Sequence, residues 1–157
     1  MRIYRDVRFS KNKDPYKLNV GIHLRHEVGK DVHAPGFYIH IAPKEIFVGA
    51  GVWHPGGTAL TQIRQFIDEH PAEWKKSRQG KFKKQFEIRG DSLKRPPRGY
   101  DAEHPLIDDL KMKDHFGLAP LTADDLFDKK LITKVADKIK AAKPFVKVLC
   151  DALHLPC

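Results

Sequence analysis

Between residues 18 and 25 apolar and polar side chains alternate. Leu18, Val20, Ile22 and Leu24 share one face, and Asn19, His23 and Arg25 share the other. Period two of this kind marks a half-buried strand. Phe37-Tyr38-Ile39-His40-Ile41 repeats it after a Pro35-Gly36 turn, with Tyr38 and His40 opposite an apolar face. Around Ile3 to Ser10 the same pattern sets Ile3, Val7 and Phe9 beside Arg5, and Tyr4, Asp6, Arg8 and Ser10 opposite. A fourth strand is expected over Ile46 to Trp53, ending at the breaker His54-Pro55-Gly56-Gly57.

Beyond that breaker the period lengthens to about 3.6 residues. Thr58 is placed as an N-cap, and Leu60, Ile63 and Ile67 fall at helical spacing, so a helix is expected over 58–69. Residues 71–100 carry a weaker pattern. Phe86 and Ile88 alternate like a short strand, whereas the paired prolines in Leu93 to Tyr100 require a loop. A short helix is expected over 105–112, and Thr122-Ala123-Asp124-Asp125 resembles a capping box that opens another. From Lys129 to Ala142, Leu131, Ile132, Val135 and Ile139 form an apolar arc, with Lys130, Lys134 and Lys138 on what reads as a solvated face. Pro144 suits the first turn of a last helix whose Val146, Leu149 and Leu153 face the core.

Strands first and helices later describe an α+β fold: an antiparallel sheet from the N-terminal half, with mostly C-terminal helices packed on one face. The other face is then left open, and it carries Asp6, Arg8, His23, Arg25, Tyr38 and His40. At 157 residues the chain fits a single domain spanning 1–157. It contains no apolar run long enough to span a bilayer, and its first residues lack the apolar core of a secretory signal. A cytoplasmic protein with no membrane partner is expected. Only Cys150 and Cys157 are present, and they are read as free thiols in a reducing compartment.

The net charge of +9 changes the picture because all of the excess lies in the first hundred residues. An anionic partner should therefore be met there. Arg5, Arg8, Lys13 and Lys17 fall close together with Tyr4, Asp6, Ser10 and Tyr16 interspersed. Arginine's planar fork suits phosphate or carboxylate, and hydroxyls add hydrogen bonds to the same oxygens. The competing reading is that Asp6 pairs with neighbouring arginines and the remaining charges are solvated. On the open face His23 and Tyr38 can line a ligand site, and His40 with Asp6 are the candidates for proton transfer. The same histidines can equally be half-exposed strand residues.

Nine histidines suggest metal, but no HExxH or Cys/His zinc spacing occurs, and no metal is assigned. Gly49 to Gly57 is glycine-rich without the spacing of a dinucleotide or phosphate loop, so no nucleotide motif is present and the cofactor is left unassigned. The proline-stiffened loop from Leu93 to Pro105 groups Lys94, Arg95, Arg98, Tyr100, Asp101 and His104. It reads either as a rigid holder of charge over the sheet or as a surface connection.

RIYRDVRFSKNKDPYK at 2–17, FYIHIAPKEIFVGAGVWHP at 37–55, LKRPPRGYDAEHP at 93–105 and PFVKVL at 144–149 resemble, in order, successive blocks of the conserved hypothetical family catalogued as domain of unknown function 2461. The resemblance implies no established activity, and the enzyme question stays open. Members usually carry a helical segment ahead of the first block. A shortened domain could leave a face uncovered and favour association with another chain. The resemblance emphasises the first block and the 93–105 loop, and so points to a shared site. Arg5, Arg8 and Lys94 would hold a small phosphorylated or carboxylated ligand, with Lys13, Lys17, His23, Tyr38, Arg95, Tyr100 and His104 around it. The alternatives are a nucleic-acid-binding module, on the charge and the interleaved Tyr4, Tyr16, Tyr38 and Trp53, or a protein-interaction domain.

Overall fold

Three of the four strands expected from the N-terminal half form a meander in the computed structural model, which describes residues 17–26 and 34–157. The strands are β1 (Val20–Leu24), β2 (Gly36–Ala42) and β3 (Glu45–Val52). The first expected strand, around Ile3 to Ser10, lies outside the described residues. Register follows the side-chain pattern: Ile22 pairs with Ile39 and Ile39 with Val48, so the apolar positions of all three strands fall on one face. β3 is the most buried of the three because it is central and its Val48, Ala50 and Val52 lie under helices.

Two further strands complete the sheet among the described residues. β4 (Glu87–Arg89) takes the place expected for the Phe86–Ile88 alternation. β5 (His115–Pro120) was not expected as a strand, yet it pairs with both β3 and β4, giving the all-antiparallel order β1-β2-β3-β5-β4. Beyond His115 its sequence, HFGLAP, is apolar on both sides. His115, Gly117 and Ala119 are buried under the helices while Phe116 and Leu118 face the open side, so no alternation announces the strand.

The helices are α1 (Gly57–Glu69), α2 (Pro71–Ser77), α3 (Lys81–Gln85), α4 (Ile107–Lys111), α5 (Ala123–Phe127) and α6 (Leu131–Ala152). The fold is α+β as expected. Ile63 and Ile67 of α1, Trp74 of α2, Leu110 of α4 and Phe145 and Leu149 of α6 form the centre of the core on the covered face of β3. Each such side chain stabilises the fold by roughly 1.5–3 kcal/mol through removal from water. Two of the shorter helices are fixed by arginines. Arg78 donates two hydrogen bonds to Asp109, and Arg64 Nε donates to the Leu110 carbonyl at 2.8 Å.

Several local expectations are corrected. Thr58 does not cap α1; Gly56 does, without a side-chain bond. Thr122 does cap α5, in a capping box with Asp125. Pro144 does not open a separate helix but lies inside the continuous α6. The hydrogen bond it cannot donate is outweighed by Phe145, Val146, Val148 and Leu149, which are buried just after it. Ile132, counted in the apolar arc, is 79% exposed. Lys134 is not merely solvated: its ammonium meets Asp125 and Asp128, which raises its pKa to about 12 and holds Asp125 down at about 2. Cys150 and Cys157, read as free thiols, are joined in a disulfide across the end of α6. No helix among the described residues is long and apolar enough to cross a membrane.

Candidate functional site

The open face of the sheet, which no described helix covers, is set out in rows by strand register. One row runs Gly36, Gly51, Phe116, Arg89, with Arg25 just beyond the end of β1 on the same side. The next runs His23, Tyr38, Gly49, Leu118, Glu87. The third brings His40 beside Phe47. Neighbouring strands are about 4.8 Å apart, so rings on adjacent strands must touch.

They do so in two groups. Over β1 to β3, His23 lies 4.6 Å from Tyr38 between ring centroids, and His40 stacks on Phe47 at 4.9 Å and 15°. The Tyr38 hydroxyl and His40 Nδ1 are hydrogen-bonded at 3.1 Å. Over β3 and β5, Trp53 meets Phe116 edge-on at 5.7 Å and His54 at 4.6 Å. Between and around these groups is a groove of about 790 Å³, within the range of sites for drug-sized molecules.

Glycines keep the groove open. Gly36 and Gly51 bring no side chain to the row that joins the two arginines. Gly51 has φ +122°, and a Cβ there would lie 2.1 Å from the His115 carbonyl oxygen. At Gly49 a Cβ would run into the Phe116 ring, so this glycine is what lets that ring lie across the sheet.

The electrostatics are mixed. Arg25 and Arg89 line the groove from opposite ends of the described strand order, with Glu45 and Asp91 also at its walls. Arg89 is in an exposed ion pair with Glu87 at 2.9 Å, a contact worth little in water. Partial burial, helped by Arg25, pushes the His23 pKa down, and burial pushes the Tyr38 hydroxyl up. Both groups are thereby held neutral near pH 7.

Of the residues expected from sequence to form a site, His23, Tyr38 and His40 meet in this groove. Arg5, Asp6, Arg8 and Lys13 lie outside the described residues. Lys17 is exposed ahead of β1 and lines a smaller hollow with Leu18, Ile41, Ile46 and Leu126. The 93–105 loop supplies none of the described residues that line the groove. Its Tyr100 packs against the helical core, where burial and then Asp68 raise its pKa. His104 is hydrogen-bonded to Asp68 of α1 at 3.1 Å, and Lys94 and Arg95 are exposed. Among the described residues the loop and the groove are thus on different layers, α1 holding the one and the sheet face away from the helices the other.

Sequence reasoning missed Phe47, Trp53, His54, Arg89 and Phe116 as groove residues. Phe47 was discoverable, because in the β3 alternation it falls opposite Val48. Phe116 and Arg89 depended on β5 and on the pairing of β4, which no local pattern specifies.

Comparison with known proteins places residues 1–147 within the model of a family described as conserved hypothetical protein (DUF2461). No curated protein and no solved structure matches the chain.

Proposed function

The chain belongs to the DUF2461 family of conserved hypothetical proteins, and on that footing we propose that its open sheet face binds a small organic anion with a flat, apolar body. The observation that carries this reading is the row Arg25, Gly36, Gly51, Phe116, Arg89. Guanidinium groups at both ends, side-chain-free positions and an aromatic ring between them suit a ligand that stacks and is held by charge. Aromatic faces reward planar ligands, and arginine matches carboxylate or phosphate through two parallel hydrogen bonds. Exchanging the exposed Glu87 partner of Arg89 for a ligand anion costs little.

Titration calorimetry of the whole chain with adenosine monophosphate, 4-hydroxybenzoate and ribose 5-phosphate tests this. The two ring-bearing anions are expected to bind, ribose 5-phosphate at least tenfold more weakly, and Arg89→Ala and Tyr38→Ala to weaken the ring-bearing ligands. Equal binding of all three, or binding indifferent to both substitutions, contradicts the proposal.

The second reading is a platform for single-stranded nucleic acid, favoured by the 48% exposure of Trp53 and by the +9 charge. An oligonucleotide that binds more tightly than adenosine monophosphate, with affinity falling steeply as salt rises, would favour it.

A further inference from the structure

His54 follows β3 with φ +49°, a backbone conformation uncommon outside glycine. Asp114 holds it there. The carboxylate is 1% exposed, and its Oδ1 accepts from the His54 backbone N–H at 2.8 Å and lies 3.1 Å from His54 Nδ1. Its Oδ2 accepts the Asp91 backbone N–H at 3.1 Å. Gly90, with φ +140°, makes room for this arrangement, since a Cβ there would stand 2.6 Å from the Asp114 Cβ.

Nδ1 lies 3.1 Å from a carboxylate oxygen, which can only accept, and this contact favours the neutral tautomer with the proton on Nδ1 and the lone pair on Nε2. The His54 side chain is 62% exposed and lines the groove beside Trp53. A buried carboxylate thus fixes one nitrogen of a histidine whose other nitrogen is left to the groove. Such an arrangement orients the ring, and a proton taken up at Nε2 would leave an imidazolium beside the Asp114 carboxylate. Backbone held in a sparsely populated region is also where functional side chains concentrate.

We propose that His54 and Asp114 form a proton-transfer pair serving the groove, for flat anionic ligands that bear an acidic hydroxyl. His54 Nε2 takes the hydroxyl proton, leaving an oxyanion on the ligand and an imidazolium whose charge Asp114 offsets; the proton returns when the ligand leaves. Asp114 is a positioning residue. This inference rests on the groove as a ligand site.

The test uses the whole chain and 4-hydroxy-3-nitrobenzoate, a flat carboxylate whose phenolate is coloured. In free protein, long-range proton–nitrogen NMR, assigned with His54→Gln, should find neutral His54 in the Nδ1–H form. Bound probe should ionise roughly tenfold more readily than free probe. In His54→Gln, whatever its affinity, the probe that binds, followed by tryptophan fluorescence, should show no ionisation shift. Asp114→Asn, checked for folding by circular dichroism, should lose the Nδ1–H preference; if it unfolds, Asp114→Glu is read instead. Binding without a shift, a shift that survives His54→Gln, or an Nε2–H tautomer overturns the pair. Failure of the probe to bind, with the tautomer as expected, instead overturns the groove reading and transfer to a ligand with it.

Discussion

Trp74 and His115 meet edge to face, their planes 88° apart and their centroids 5.3 Å, in the middle of the layer between sheet and helices. His115 is 3% exposed, and burial pushes its pKa down to about 4. In the unfolded chain the same imidazole titrates near 6.5. Between these values the unfolded state binds the proton and the folded state does not.

This histidine should therefore make the fold sensitive to acid. Its contribution is fully present above about pH 6.5, declines as pH falls, and is lost by about pH 4, a change of roughly 3 kcal/mol. Urea denaturation across that range is the measurement. His115→Leu is expected to flatten the acid limb, and an unchanged limb would assign acid lability to other groups.

The paired bonds from Arg78 to Asp109, both 2.5 Å, join α2 to α4 while the guanidinium lies 4.8 Å over the Trp74 ring. Lysine can supply the charge but neither the fork nor the flat face. Arg78→Lys should destabilise by about 1–2 kcal/mol and Arg78→Ala by about 3 kcal/mol or more, since the alanine leaves Asp109 half-buried and unpaired. Thermal unfolding of both variants gives the order.

At Gly51 the backbone conformation and the nearby His115 carbonyl both exclude a side chain. Gly51→Ala is expected to lower stability by about 2–4 kcal/mol, combining backbone strain with overpacking. Gly56→Ala is the control, because a Cβ there meets nothing within 4 Å. Denaturant midpoints that fall equally in the two would contradict the steric account.

Groove and loop should separate in binding. Alanine at Arg25, Tyr38 or Phe116 is expected to weaken 4-hydroxybenzoate roughly tenfold, about the value of one aromatic or charged contact. Alanine at Lys94, Arg95 or His104 should leave calorimetric affinity unchanged. The reverse ranking would restore the loop as the ligand site.

The side-chain alternation of β1 to β3 was legible because each strand is covered on one face only, and it correctly placed His23, Tyr38 and His40 together on the open side. β5 was illegible for the opposite reason: packed by helices on one face and by groove aromatics on the other, it has no polar beat. The His54–Asp114 pair joins residues sixty positions apart through the pairing of β3 with β5, which depends on the whole fold. Pro144 misled because a local rule about helix starts competes poorly with a run of buried side chains on both sides of it. Lys94 and Arg95 are exposed, and charge says only that such a loop is exposed, without saying over which layer it lies.

The sheet order has a consequence for synthesis on the ribosome. β1, β2 and β3 are consecutive hairpins and can pair as they emerge, but the other edge of β3 waits for β5, more than sixty residues later, and β4 waits with it. During that interval the strand destined for the centre of the sheet has an open edge, and Val48, Ala50 and Val52 lack the cover that α6 supplies later still. Such an edge can recruit a neighbouring nascent chain. Slow translation between residues 52 and 115 would lengthen that exposure, so the yield of soluble protein should depend on elongation speed there more than anywhere else in the message.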